Sequence, residues 1–128
     1  FHDFRNVFNL TPNDLMDKGE AYIANYVSVF KKRISSNTTL DSVVQNDFKS
    51  IYNTEVFNPK KYTARTKYGE SIVVTYKAKH GTYEYECIQQ FYKYKGFYYK
   101  VSYVAQDKYF DTYYDDAIAI MKTFKIAE

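Results

Sequence analysis

Glu84 and Glu86 stand two residues apart in TYEYEC, and in a strand that spacing puts both carboxylates on one face. Paired carboxylates can hold a cation, or flank a bond in acid–base hydrolysis when the carboxyls lie roughly 5 Å or more apart. Cross-strand ion pairs with Lys77, Lys79 and Lys100 are the simpler expectation. Four more carboxylates, Asp107, Asp111, Asp115 and Asp116, gather near the end of the chain. A spacing of four sets Asp107, Asp111 and Asp115 on one helical stripe, where Ca²⁺ or Mg²⁺ can bind weakly. The Asp-x-Asp-x-Asp-Gly loop of a calcium site is missing, however, and acidic residues in a first helical turn are favoured by the helix dipole alone. Cys87 is the sole cysteine, which excludes an intrachain disulfide and a cysteine-based metal cluster. Its only plausible histidine partner, His80, lies seven residues away across a turn at His80-Gly81, so Cys87 reads as a small buried hydrophobe.

The stretch YKYKGFYYKVSY, Tyr92 to Tyr103, raises base stacking, because an RNA-binding strand begins Lys-Gly-aromatic. Here the small residue, the Val and the last aromatic of that pattern are absent. Lys95-Gly96 reads instead as a tight hairpin turn between two alternating strands, with Gly96 supplying a positive φ. Alternation places Phe97, Tyr99, Val101 and Tyr103 on one face. It leaves Tyr92, Tyr94 and Tyr98 with Lys100 on the other, flanked by Lys93 and Lys95, as a candidate partner surface. Ten of the 16 tyrosines fall between Tyr83 and Tyr114, which supports an aromatic surface in this region.

No phosphate-cradling glycine loop, nucleophile elbow, His-Glu-x-x-His or Cys-x-x-Cys occurs, and four glycines make a dinucleotide site implausible. The reading is therefore a non-enzymatic protein without a cofactor. Net charge is +3 and evenly spread: residues 1–64 hold 8 basic and 7 acidic side chains, residues 65–128 hold 10 and 8. That is not the clustered basic face of a polyanion binder, so nucleic acid is a disfavoured partner. Lys31-Lys32-Arg33 and Lys60-Lys61 read as solvated strand and loop ends. No run approaches the roughly 18 apolar residues of a spanning helix.

The elements that must position these residues fit one domain over residues 1–128. Val7–Leu15 reads as a short strand into a turn, with Thr11 able to cap and Pro12 at a first helical position. After Gly19 a long strand spans Ala21–Ile34, with Ile23, Val27 and Val29 on one face and Tyr22, Tyr26 and Phe30 on the other. Leu40, Val43, Val44, Phe48 and Ile51 recur at helical spacing, giving a helix at about Thr39–Tyr52 with Thr38 and Asp41 as a capping box. Asn58-Pro59 closes the connection that follows. Strands at Tyr62–Lys67, Ser71–Lys79, Thr82–Tyr94 and Phe97–Ala105 form an antiparallel meander, since turns this short cannot join parallel strands. A last helix spans Lys108–Lys122, capped by Asp107, with Phe110, Tyr114, Ala117, Met121 and Phe124 as its stripe.

FNLTPNDL (Phe8–Leu15), TTLDSVVQNDFKSI, and KGFYYKVSYVA followed by YYDDAIAIMKTFKI together resemble the PsbP-like family over nearly the whole chain. Leu15 stands where that family usually has Trp, and Thr123-Phe124 where it has Ser-Phe. The resemblance implies an α+β fold: an antiparallel sheet flanked by helices on both faces as an α/β/α sandwich. The alternative is a cystatin-like or NTF2-like curved sheet with its helices on one face. The resemblance also implies no catalytic residues and a binding or accessory role toward another protein or a cell-surface ligand. Its bacterial members are secreted or lipid-anchored, and with Phe1 rather than Met at the start, an extracytoplasmic lipoprotein tethered through an upstream cysteine is expected. Other candidate roles are a glycan or small-ligand module using exposed tyrosines, and a weak single-stranded nucleic-acid binder using the Tyr92–Tyr103 hairpin.

Overall fold

The computed structural model describes residues 4–10 as backbone, and 26–49 and 55–126 with side chains other than those of His80 and Tyr83. Thr11, Pro12, Gly19, Tyr22, Ile23, Ile51 and Tyr52 lie outside the described residues, as do the expectations that rest on them. The elements run β1 (Phe4–Leu10), β2 (Tyr26–Arg33), α1 (Leu40–Lys49), β3 (Glu55–Thr66), β4 (Gly69–His80), β5 (Tyr83–Tyr94), β6 (Phe97–Gln106) and α2 (Asp107–Lys122). The six strands form one sheet in the order β1-β2-β6-β5-β4-β3, and every neighbouring pair is antiparallel. The fold is α+β.

Turn chemistry fixes the meander. Lys95 and Gly96 both have positive φ, 48° and 84°, the backbone that a two-residue turn needs to match strand twist. At the β3–β4 turn, the Thr66 hydroxyl donates to the Gly69 carbonyl at 2.9 Å and accepts from the Tyr68 amide at 3.1 Å.

Alternation then sends each strand's residues to two separate cores. One contains Ile72, Val74, Tyr76, Ala78, Cys87, Phe91, Tyr98 and Val104, with Val43 and Val44 of α1 buried against them and Leu40, Phe48, Tyr26 and Phe30 packed alongside. The other contains Val27, Val29, Tyr92, Tyr99, Val101, Tyr103 and Ala105 beneath Phe110, Ala117 and Met121 of α2. Tyr98 and Val104 face α1 while Tyr99, Val101 and Tyr103 face α2, so the helices lie on opposite sides of the sheet. The one-faced curved-sheet alternative is excluded. Phe91 and Val101, each 1% exposed, contribute about 1.5–3 kcal/mol apiece by burial.

Three local expectations differ. The α1 cap sits one residue later than Thr38: the Thr39 hydroxyl accepts the Ser42 amide at 3.1 Å, and the Ser42 hydroxyl donates to the Thr39 carbonyl at 2.8 Å. Asp107 is the first residue of α2 rather than its cap, because β6 passes directly into the helix through Gln106, which makes no side-chain cap. Tyr103 ties this junction instead, donating its hydroxyl to the Phe110 carbonyl at 2.8 Å with the two rings stacked 4.8 Å apart. Third, β3 does not start after Pro59. It begins at Glu55 and runs through Asn58-Pro59 by way of a bulge, where Phe57 pairs with Lys77 but Lys60 with Thr75.

Candidate interaction surface

The expected tyrosine cluster divides between the two faces. Tyr92 pairs across with Tyr99 and Tyr94 with Phe97, while Lys93 pairs with Tyr98. A two-residue turn makes partner numbers sum to an odd value, so even residues of β5 share a face with odd residues of β6. Tyr92 and Tyr94 therefore lie on the α2 side, and Tyr98 with Lys100 on the α1 side. Tyr92 is buried, with Phe124 5.1 Å away by ring centroid and Tyr68 6.1 Å away. Tyr94 is half-buried against Tyr68 at 5.2 Å. Tyr98 is buried beside Phe30, and burial, then the nearby Asp47 carboxylate, pushes its hydroxyl up to about 12.

The three lysines are engaged as well. Lys100 Nζ meets Asp47 Oδ1 of α1 at 2.9 Å, Lys93 Nζ donates to the Thr38 carbonyl at 2.6 Å, and Lys95 sits in the turn with its ammonium 5.2 Å from the Tyr94 ring centroid. Tyr98, Lys100 and Asp47, with Phe30, Ile34 and Val43, line a cleft of about 710 Å³ between α1 and the sheet. The hairpin is thus core and helix anchor, and the open aromatic patch expected of it does not form.

Glu84 and Glu86 do lie on one face, with Lys79 and Lys77 directly across. Lys77 Nζ reaches Glu86 at 3.9 Å and Asp107 at 3.7 Å. Lys100 is not their partner, since it projects to the opposite side. Burial first, and a hydrogen bond shared with Asp107 second, raise the Glu86 carboxyl to about 7 against the pull of Lys77. Asp111, Asp115 and Asp116 are exposed along α2, and among the described residues no three His, Cys, Asp or Glu side chains gather as metal ligands. Cys87 is 2% exposed, and burial pushes its thiol up to about 12. It pairs with Tyr76, whereas His80 pairs with Tyr83 four residues further along, about 13 Å away at strand rise. The two do not form a catalytic pair.

Among the described residues the exposed large hydrophobics are Phe57 at 43%, Tyr62 at 56% and Tyr114 at 40%. Phe57 and Tyr62 both belong to β3, one of the two edge strands of the sheet. Five residues apart in a regular strand they face opposite ways, but the bulge between Phe57 and Lys60, with Asn58 at φ 51°, restores them to one face. That face carries Lys77 and Val73 across from them, on the side of the sheet where α2 sits over β5 and β6. On the other side, between α1 and β3, a groove of about 340 Å³ is lined by Val44, Phe48, Pro59 and Val74 and rimmed by Lys49, Lys60 and Lys61. The sequence held a signal for this surface in the eight residues Lys60–Lys67, which carry four cations and no carboxylate.

No family model matches the chain, and no curated protein matches it. A solved structure of a protein of unknown function from Pseudomonas aeruginosa, described as a putative regulator, superposes with a TM-score of 0.65 at 10% identity, covering 100% of this chain and 85% of the other. At that identity the likeness is one of fold. Among the described residues no helix is long and apolar enough to cross a membrane.

Proposed function

We propose that this chain is a non-catalytic binding domain of PsbP-like architecture that engages another protein through its β3 side, and that it works outside the bacterial cytoplasm on a lipid anchor. The observation that carries the binding role is the pair Phe57 and Tyr62, held on one face of an edge strand with 43% and 56% of their surface in water. Exposed aromatics grouped on a rigid scaffold are the usual anchors of protein interfaces. The fold neighbour's description as a putative regulator accords with a binding role. Localisation rests on the resemblance of FNLTPNDL and the closing helix to the family, and the coding sequence upstream of Phe1 tests it: a signal segment ending in a cysteine is expected.

Photo-crosslinking in the producing cells tests the surface. A benzophenone amino acid at Phe57 or Tyr62 is expected to give one discrete adduct, and the same group at Tyr114 none. Absence of an adduct from both β3 positions refutes the reading.

A further inference from the structure

Resting on that reading, we infer that the partner is an acidic, extended peptide segment that adds as a seventh strand along the outer edge of β3 between Lys60 and Thr66. The sheet ends at β3, and the ladder from Lys60↔Thr75 to Thr66↔Gly69 is regular over seven consecutive pairs. A terminal strand presents alternate N–H and C=O groups outward, and a docking strand satisfies them. Lys60, Lys61, Tyr62, Thr63 and Arg65 are all exposed, so neither helix covers this edge. The bulge and Pro59 end the regular ladder on one side and the Lys67-Tyr68 turn ends it on the other. The available length is about seven residues, that of an ordinary strand.

Charge selects the occupant. The segment Lys60-Lys61-Tyr62-Thr63-Ala64-Arg65-Thr66-Lys67 holds four cations and no carboxylate, and Asp41 of α1 meets one of them, Lys61, at 2.7 Å. A second copy pairing edge to edge sets Lys60, Lys61 and Arg65 against themselves, and like charges across a strand pair are destabilising. Acidic side chains alternating along an added strand meet cations favourably on whichever face they take, Lys60 on one or Lys61 and Arg65 on the other, and Tyr62 offers its ring to the apolar side chains when they take its face. Single-stranded nucleic acid fits less well. Phe57 pairs with Lys77 and Tyr62 with Val73, so the rings stand four β4 residues, about 13 Å, apart, too far to stack successive bases. Nucleic acid also leaves the edge amides without strand partners.

The test uses the purified chain and three probes: a ten-residue blocked peptide alternating Asp and Val, its Lys-Val counterpart, and a ten-nucleotide oligothymidylate. Binding of the acidic peptide is expected, together with slowed hydrogen exchange at backbone amides of residues 60–66. Binding of the Lys-Val peptide is not expected. The exposed change Lys60→Glu/Arg65→Gln, which sets no carboxylate against Glu70 across from Arg65, is expected to weaken the acidic peptide about tenfold while keeping the wild-type unfolding midpoint. Failure of the acidic peptide to bind, binding without protection of the β3 amides, or preference for the oligonucleotide each overturns the inference. If the peptide fails while the Tyr62 crosslink persists, the binding-domain reading stands and this inference alone falls; loss of the crosslink removes both.

Discussion

Replacing Lys100 by Met is expected to destabilise the domain by about 2 kcal/mol, because Lys100 anchors α1 to the sheet. Its ammonium lies 2.9 Å from Asp47 Oδ1, and the two side chains are 20% and 15% exposed. An exposed pair contributes about 0–1 kcal/mol, whereas removing one partner of a buried pair costs about 3–5 kcal/mol since the survivor keeps its charge without compensation. At roughly four-fifths burial the loss falls between these bounds. The Phe30 ring, 5.3 Å from the ammonium, adds a cation–π contribution of about 0.5–1 kcal/mol that Met also gives up. Urea unfolding of the wild type, Lys100→Met, Asp47→Ala and the double variant forms a cycle whose coupling energy should be about 1–2 kcal/mol. For a domain of this size the single variant lowers Tm by about 8 °C. A Lys100→Met midpoint equal to wild type, or a coupling energy under about 0.5 kcal/mol, refutes the anchor and returns Lys100 to the solvent-facing role its sequence neighbours suggested.

Glu86 makes stability fall as pH rises. Its carboxyl is raised from 4.5 to about 7 in the folded state, so between those values the native protein holds more protons than the unfolded chain and the slope of stability against pH is negative. Glu86→Gln should flatten that decline and leave the variant more stable than wild type at pH 8; an unchanged slope between pH 5 and 7 counts against the assignment. Cys87, buried and with its thiol pushed up to about 12, should stay unreactive toward a thiol reagent at neutral pH until the protein unfolds, and stoichiometric labelling of the native state within minutes contradicts its placement. Gly96, at φ 84° with open space where a Cβ would stand, should lose about 1 kcal/mol on change to Ala through backbone strain alone; a neutral effect in urea unfolding removes the turn assignment.

The meander and both helices were legible because their signals are local. Alternation with Gly at the turns marks β4, β5 and β6, and Leu40, Val43, Val44 and Phe48 recur at a helical period. What could not be read was which face met which helix. That depends on turn parity: the two-residue Lys95-Gly96 turn sets Tyr92 beside Tyr99, and alternation counted strand by strand carries no such information. Counting tyrosines suggested a surplus for an open patch, yet two helices on opposite faces absorb most of them. Tyr114, three residues before Ala117 on the expected stripe, is 40% exposed, while Phe110, Ala117 and Met121 are the buried residues of α2.

The aromatic edge was missed for a different reason, and it yields a decisive test. Pro in a strand pattern usually marks its end, so Asn58-Pro59 hid the first residues of β3. In the fold these two residues form the bulge, with Asn supplying the left-handed backbone that Asn tolerates better than most residues. The extra residue decides which side chain faces water: Val56 packs against the α1 core while Phe57 is exposed on the face it shares with Tyr62. Replacing both bulge residues at constant length, Asn58→Val/Pro59→Thr, removes the left-handed backbone and the proline and favours strict alternation, and with Tyr62 held in register by Val73 the residues before the bulge must exchange faces. A Phe57→Cys variant should label rapidly in the native state, since Cys87 is inert, and labelling should slow at least about tenfold, a shift of 1.4 kcal/mol, once Asn58→Val/Pro59→Thr is also introduced. Val56→Cys should respond in the opposite sense. If both cysteines label at the same rates with and without Asn58→Val/Pro59→Thr, the bulge does not set the face of Phe57, and the aromatic pair on β3 loses its structural basis.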